Sequence, residues 1–428
     1  MTKPVRVGVL GCGNVGGPLI ELLQRHGDDI AARTGLRLEV VAVAVRSVSK
    51  DRGLTLASGV LTTDASAVVG DPSIDVIVEV IGGIEPARSL ITKALEAGKP
   101  VVTANKELLA NVGAELFATA HDAGVDLLFE AAVAGGIPLI RPLRESLVGE
   151  RITRVMGIVN GTTNYILTRM TEEGVSYDDA LAEAQSLGYA ERDPTADVEG
   201  FDAGAKAAII ASIAFGAKVV AGDVYHEGIS GVTAADIAYA KRLGYVVKLL
   251  AIVEWVDESI GVRVHPAMVP ASHPLASVRE SYNAVFIEGD AVGNLMFYGR
   301  GAGGFPSASA VLGDLIDAAA NLTKRSSATV GTLATVPIRP IDDACSEYYL
   351  NIEVADRPGV LAAVAGVFGE HAVSIRTMEQ EGLGDEARLI FITHDAQEAD
   401  VQATLHDLRD LEVVDRVTSM LRVVGTGS

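Results

Sequence analysis

The sequence predicts an α/β protein in three parts: a doubly wound parallel sheet, an α+β middle region, and a ferredoxin-like βαββαβ unit at the C-terminus. Three observations carry this. Apolar, β-branched runs alternate with helical stretches through the first 130 residues, the pattern of a parallel sheet covered on both faces. From about Gly136 the order changes to long helical stretches followed by strands. From Tyr348 onward, six short segments read strand, helix, strand, strand, helix, strand.

Taken in order, Val5–Gly11 (VRVGVLG) is an apolar strand that runs at once into glycines and then into an amphipathic helix from Asn14 to His26. Arg37–Val45 is a second continuous strand, and Asp75–Val80, Pro100–Thr103 and Asp126–Glu130 repeat the pattern around helices at Glu85–Ala97 and Glu107–Ala123. The middle region holds helices at Tyr177–Leu187, Asp202–Phe215 and Ala234–Tyr245, then strands at Val246–Val256, Ile260–Val264 and Asn283–Gly289. A glycine-rich turn (Gly299–Pro306) precedes a small-residue helix, Ser307–Lys324, and a Ser/Thr-rich link with Pro337 and Pro340 reads as a hinge. Beyond it lie Tyr348–Val354, Val360–Glu370, Val373–Gln380, Ala387–Thr393, Ala399–Leu408 and Glu412–Val424.

The composition bounds the function. At about 150 residues per domain, 428 residues make two to three domains. With 49% apolar and 21% charged residues the chain is globular, neither disordered nor a disulfide scaffold. A net charge of −21 repels phosphate backbones and argues against nucleic acid as a partner. Mean hydropathy is +0.31, yet no run of about 20 apolar residues escapes a charge or a Gly/Pro break, so no membrane helix is expected. Met1–Pro4 leads straight into a strand and leaves no room for a secretory signal. Cys12 and Cys345 stand far apart and read as two reduced, buried thiols, which fits a cytoplasmic protein.

Gly11-Cys12-Gly13-Asn14-Val15-Gly16 fits GxGxxG, and it follows a strand and opens a helix, the context that makes the pattern a Rossmann-type dinucleotide loop. Gly11 allows the tight turn, Gly13 lets backbone approach a pyrophosphate, and Gly16 permits close helix–strand packing. The helix N-terminus favours the phosphates. The second strand ends in Val45-Arg46-Ser47-Val48-Ser49-Lys50, with no acid to bind a ribose 2′-hydroxyl. Arg46 and Lys50 are cations where a 2′-phosphate would lie, so NADP(H) is favoured, with NAD(H) use left open.

The densest chemistry lies in Ala184–Lys206 (AQSLGYAERDPTADVEGFDAGAK). Glu191, Asp193 and Asp197 crowd one loop, and Asp202 and Lys206 share a face of the next helix at i,i+4 spacing. The rest of that helix is small and apolar, so the pair belongs at a buried boundary, where a lysine can exchange a proton and an aspartate orients it. Acids facing one cleft suit a ligand ammonium. Asn160-Gly161-Thr162-Thr163-Asn164 reads as a strand-end loop offering N–H groups and hydroxyls to a carboxylate. Thr103-Ala104-Asn105-Lys106 lies at the carboxyl end of a parallel strand, the ligand edge of such sheets, which makes Lys106 a cleft cation.

These residues resemble the homoserine dehydrogenases. Ala184–Lys206 is similar to that family's signature in its Ala, Gly-Tyr-Ala-Glu, Asp-Pro, Asp-Val, Gly, Asp and Lys. The Gly11–Gly16 loop, Ala104–Lys106, Glu130–Pro138, Asn160–Asn164 and Gly301–Ala310 also match, and the likeness covers essentially the whole chain. No amino-acid kinase stretch precedes the nucleotide loop, so the likeness is to the monofunctional form. The resemblance implies reversible, NADPH-dependent reduction of L-aspartate 4-semialdehyde to L-homoserine, in threonine, methionine and isoleucine biosynthesis. It makes Lys206 the acid/base and Asp202 its holder. Glu191 and Asp197 would bind the substrate ammonium near Gly188 and Tyr189, with Thr162 and Thr163 shaping the cleft and Lys106 reaching substrate or nicotinamide. It extends the cofactor contacts to Asn14, Val15, Val45, Thr103, Lys106 and Gly303. Backbone carbonyls of Glu130, Val133, Gly135 and Ile137 would hold Na⁺ or K⁺, while the eight histidines show no ligand spacing for a transition metal.

The same resemblance implies a nucleotide domain at 1–135 completed by 301–325, and a substrate-binding and dimerisation domain at 136–300. A linker at 326–345 and an ACT domain at 346–424 would follow. Asp356-Arg357-Pro358-Gly359-Val360-Leu361 resembles an ACT ligand loop, so a pathway amino acid, threonine foremost, is expected to bind there and inhibit. The alternative for this unit is dimerisation alone, through its exposed sheet edge. A homodimer or homotetramer is expected. Two other readings compete: a different NADP-dependent semialdehyde enzyme, which leaves Ala184–Lys206 unexplained, and a non-catalytic amino-acid sensor, which predicts loss of the Asp202, Lys206 and Glu191 that are present.

Overall fold

A computed structural model describes residues 4–328, 330–382 and 386–425; Met1–Lys3, read above as the short lead-in, and Thr329 of the link lie outside the described residues. The chain divides into two compact units, one of residues 1–153, 205–224 and 283–336, the other of 154–204, 225–282 and 337–428.

The first unit carries a six-stranded parallel sheet. Its strands are β1 (Val5–Leu10), β2 (Leu38–Ala44), β3 (Leu61–Thr62), β4 (Val76–Glu79), β5 (Val101–Thr103) and β6 (Leu127–Leu128), in the order β3-β2-β1-β4-β5-β6. Between them run α1 (Gly16–Thr34), α2 (Ala65–Gly70), α3 (Ala87–Glu96) and α4 (Lys106–Ala123). The order reverses between β1 and β4, the switch point at which such sheets bind ligands. The last strand is shorter than Asp126–Glu130 predicts, because Glu130–Ala132 turns into a 3₁₀ helix. A late helix, α10 (Gly304–Lys324), returns to this sheet: its Ala308, Val311, Leu315, Ala318 and Ala319 lie in one buried cluster with Val7, Val9 and Leu19. Its small side chains let it pack closely there.

The second unit begins within β7 (Ile152–Ile158) and adds α5 (Gly161–Glu173), α6 (Tyr177–Ser186) and the one-turn α7 (Thr195–Val198). The chain passes back to the first unit within a single helix, α8 (Phe201–Phe215). The second unit resumes with β8 (Tyr225–His226), α9 (Ala234–Arg242), β9 (Tyr245–Val256) and β10 (Ser259–Pro270), while the hairpin β11 (Tyr282–Gly289) and β12 (Gly293–Arg300) belongs, from Asn283 on, to the first unit. The C-terminal elements are β13 (Ile338–Arg339), β14 (Cys345–Ala355), α11 (Val360–Glu370), β15 (Ile375–Gly382), β16 (Glu386–Thr393), β17 (Ala396–Gln397), α12 (Glu398–Arg409) and β18 (Val414–Val423).

The βαββαβ expectation is met: β14, α11, β15, β16, α12 and β18 close over a core of Leu350, Ile352, Val364, Phe368, Leu389, Phe391, Val401 and Leu405. The unit does not stand apart. β18 pairs in parallel with β10, Ala267 opposite Arg422 and Met268 opposite Val423, so β7-β9-β10-β18-β14-β16-β15 run as neighbours. The sheet edge offered above as free for dimerisation is, on the β18 side, already taken by this chain. Arg422 locks the junction. It is 1% exposed, donates to Glu398 at 2.6 and 2.7 Å and to Glu227 at 2.6 Å, while Tyr348 donates to Glu398 at 2.9 Å. Breaking such a buried pair strands a charge in the interior, at a cost of about 3–5 kcal/mol. Among the described residues no helix is long and apolar enough to cross a membrane.

Candidate active site

The nucleotide loop is built from absent side chains. Gly11 has φ 104°, and a Cβ there would strike the Val80 carbonyl; a Cβ on Gly16 would overlap the Gly11 carbonyl oxygen. Gly13 faces open space. Val15 caps α1 with no side-chain hydrogen bond, and Gly303 caps α10 with φ 128° as Gly304 packs against the Asn14 carbonyl. A cavity of about 810 Å³ opens here, lined by Cys12, Gly13, Asn14, Lys50, Arg52 and Phe305, among others. Burial pushes the half-buried Cys12 thiol up, whereas Cys345, expected to be buried, is exposed at the start of β14.

From the loop after β2, the cavity takes Lys50 and Arg52; Arg46 is exposed and is not among the lining residues. The Arg52 guanidinium donates to the Ser47 and Lys50 carbonyls, each at 2.6 Å, which fixes its plane, and its Nε is buried without a partner. Arg52 had no assigned role in the sequence; its signal was one more cation after the same strand. Val45 lies half-buried where that loop begins.

At the carboxyl edge of β4 and β5, Glu79 is fully buried. It accepts the N–H groups of Ile81 and Gly82 at 2.7 and 3.1 Å and the Thr103 hydroxyl at 2.6 Å. Asn105 caps α4 through Leu108 N–H and ties Gly83, so the first residue of the helix, Lys106, leaves a fixed corner. Glu79 escaped the sequence reading; a lone carboxylate closing an apolar strand at the ligand edge was its signal.

The Glu130–Ile137 turn has its side chain already spent. The Glu130 carboxylate accepts three N–H groups, from Leu139, Ile140 and Arg141, and its own N–H donates to Asp314 at 2.7 Å. Burial raises the Asp314 carboxyl to about 7. Ala134 and Gly135 are both left-handed (φ 55° and 48°), and Gly135 packs so closely on the Gly301 carbonyl that no Cβ fits. Any cation held by Glu130, Val133, Gly135 and Ile137 would therefore have main-chain oxygens to meet, which suits a hard monovalent ion.

In the second unit the Asn160–Asn164 segment differs from expectation. Its groups are mostly committed within the protein. Asn160 Oδ1 accepts Thr163 N–H at 2.9 Å and the Thr163 hydroxyl at 3.0 Å, and Thr162 donates to the Tyr189 carbonyl at 2.7 Å. The loop thus holds the Gly188–Tyr189 turn more than it offers donors to a ligand carboxylate. Gly188 is left-handed (φ 77°), and Tyr189 leans on Tyr165 at 4.8 Å between ring centres. Asn164 binds the Glu280 and Tyr282 carbonyls and accepts from buried Lys248 at 3.0 Å.

Of the acids read above, Asp197 and Asp202 are joined, through a residue the sequence did not assign, while Asp193 is exposed and accepts from Thr195. Asn160 Nδ2 donates to Asp197 Oδ1 at 2.7 Å and to Asp202 Oδ2 at 2.8 Å. Asp202 and Lys206, one turn apart on α8, are each 8% exposed. Glu191 is exposed on its loop, and Asp197 is half-buried.

Three comparisons agree with this geometry. The homoserine dehydrogenase family model matches residues 138–316, its NAD-binding domain matches 11–130, and the ACT domain model matches 348–413. A homoserine dehydrogenase of Mycobacterium tuberculosis is 50% identical, with 99% of each chain covered. The crystal structure of one from Thiobacillus denitrificans superposes with a TM-score of 0.94 at 43% identity, covering 99% of both chains. A hyperthermophilic archaeal homoserine dehydrogenase solved with NADPH gives 0.64 at 30% identity, over 74% of this chain and 98% of that one.

Proposed function

The chain belongs to the homoserine dehydrogenase family, NAD(P)-dependent oxidoreductases acting on a CH–OH group, and from that premise we propose how its residues share the reaction. The substrate pair is L-aspartate 4-semialdehyde and L-homoserine. Lys206 gives a proton to the aldehyde oxygen and takes it back in the reverse direction, with Asp202 holding it one helical turn away. Asp197 and Glu191 bind the substrate ammonium, Gly188 and Tyr189 shape that end of the site, and Thr162 and Thr163 support it. Lys106 meets the substrate or the nicotinamide ring.

The dinucleotide, bound on Gly11–Gly16 and contacted by Val45, Thr103 and Gly303, supplies the hydride. Arg52, with Lys50 and Arg46, pairs a 2′-phosphate, so NADP(H) is preferred over NAD(H); the place of Lys50 and Arg52 in the cavity lining supports this. The archaeal relative was solved with NADPH. Backbone carbonyls of Glu130, Val133, Gly135 and Ile137 would hold Na⁺ or K⁺. The ACT loop Asp356–Leu361 takes a regulatory amino acid, threonine, outside the active site. The enzyme works in the cytoplasm as a homodimer or homotetramer.

One observation carries the catalytic assignment: a lysine and an aspartate, both almost fully buried on one helix, with the aspartate tied to the ammonium-binding acid through a shared amide. Lys206→Ala should lower kcat for homoserine oxidation by about 10²–10⁴-fold while NADP⁺ binding, followed by fluorescence, stays near wild type. A variant keeping more than a tenth of wild-type kcat would remove Lys206 from the proton path.

A further inference from the structure

We propose that Asn160 is a positioning residue that sets both acids of the reaction at once, a role resting on the assignment of Asp197 to the substrate ammonium and Asp202 to Lys206. An amide has one acceptor end and one donor end. At Asn160 the helix claims the acceptor: Oδ1 receives Thr163 N–H as the N-cap of α5. That bond fixes which way the amide points, since a backbone N–H cannot accept. The NH₂ group is thereby aimed at carboxylates, and its two hydrogens go to Asp197 at 2.7 Å and Asp202 at 2.8 Å.

The choice of residue follows from this double task. Asn, Asp and Ser are nearly equal as N-caps, so capping alone does not require an amide. A Ser at this position would cap α5 and donate to neither acid. An Asp would cap it too, but would set a third carboxylate against two others in a region where Asn160 is 5% exposed, and like charges that close disfavour ionisation of all three. Among the cap residues, only an amide satisfies the helix end and also tethers two anions without adding charge. The tether spans α7, which carries Asp197, and the first turn of α8, which carries Asp202, so it links substrate binding to the proton-transfer helix. Asn160 touches no reacting atom; it acts through Asp197 and Asp202.

The test compares Asn160→Asp and Asn160→Ser in the full-length protein. Both keep the cap, so NADP⁺ affinity should stay near wild type, and thermal melting should do so for Asn160→Ser, which adds no charge. Loss of a hydrogen bond to a charged group corresponds to about a 10- to 100-fold effect. Asn160→Asp should therefore raise KM for homoserine at least about tenfold, through Asp197, and lower kcat by about 10²-fold, through Asp202, with KM for NADP⁺ unchanged. Asn160→Ser, which adds no charge, should fall between it and wild type on both parameters. If both variants stay within threefold of wild type in kcat and homoserine KM, Asn160 is only a helix cap and the proposal fails. Should Asn160→Asp fail to fold, Asn160→Ser decides alone by the same criterion. Asp202→Asn and Lys206→Ala separate this from failure of the underlying assignment: if those two retain wild-type kcat, the assignment itself is wrong, whatever Asn160 does.

Discussion

Two places in the molecule share one local design, a strand running through a short turn into a helix N-terminus, and they solve it in opposite ways. At β1–α1 the cap is Val15, which makes no side-chain bond, and glycines clear the space in front of the helix. At β7–α5 the cap is Asn160, whose own amide fills the helix end. The first leaves the positive end of a helix open to a phosphate. The second takes one N–H of that end, Thr163's, and turns the spare half of the capping group toward two carboxylates. The nucleotide loop is thus written in missing side chains, and the Asp197–Asp202 cluster in one particular side chain.

The contrast breaks most sharply at Gly16. Its missing Cβ is a steric requirement, since any substituent overlaps the Gly11 carbonyl oxygen, which belongs to rigid backbone. Gly16→Ala should weaken NADP⁺ binding by more than about 100-fold by displacing the loop from its approach to the pyrophosphate. Titration of the enzyme with NADP⁺, read by isothermal calorimetry, measures this directly. Near-normal affinity would show that the loop tolerates side chains and that the contrast drawn here is false.

A smaller effect should separate the side chains around the same cavity. Arg52 is clamped by two carbonyls with its Nε unpaired, whereas Arg46 is exposed off the lining. A charge-assisted hydrogen bond contributes about 1.5–3 kcal/mol, so Arg52→Ala should raise KM for NADPH by about 10- to 100-fold and leave NADH within twofold. Arg46→Ala should change NADPH less than Arg52→Ala does. Steady-state kinetics with both cofactors decide it; equal losses for NADPH and NADH with Arg52→Ala would make the residue a loop brace.

What could be read from the sequence follows the same division. Gly11–Gly16 was legible because its geometry is local: six consecutive residues carry the whole turn. The βαββαβ unit was legible because periodicity and turn residues recur along the chain. Asp202 and Lys206 were legible because helical spacing fixes their relation. Asn160 was not, since its partners lie 37 and 42 residues away and its cap role gives no hint of them. Arg422 was hidden for a like reason: it reads as one cation in a terminal strand, and only pairing of β18 with β10 brings it to Glu227. Within Asn160–Asn164 the hydroxyl bonds of Thr162 and Thr163 were not legible, because sequence shows how many donors exist and not which are already spent.

The least effect is expected behind the substrate loop, where Lys248 sharpens how far side chains build that region. It is 2% exposed, donates to Asn164 Oδ1 at 3.0 Å and to the Val278 carbonyl, and burial lowers its pKa to about 8. An unfolded lysine titrates near 10.4. Between those values the unfolded chain binds the extra proton, so stability rises with pH, by up to about 1.4 kcal/mol per unit. Below pH 8 the charged ammonium is held in the interior and the full penalty stands. Wild type should therefore gain about 2 kcal/mol between pH 7 and 9.5 relative to Lys248→Met, which has nothing to titrate there. Urea unfolding at the two pH values reads the difference. Because Asn164 keeps its bonds to the Glu280 and Tyr282 carbonyls, homoserine kcat of Lys248→Met should remain within about threefold of wild type. Parallel pH slopes for the two proteins would mean that Lys248 stays charged up to its ordinary range, and that its ammonium is solvated or paired more fully than its burial implies.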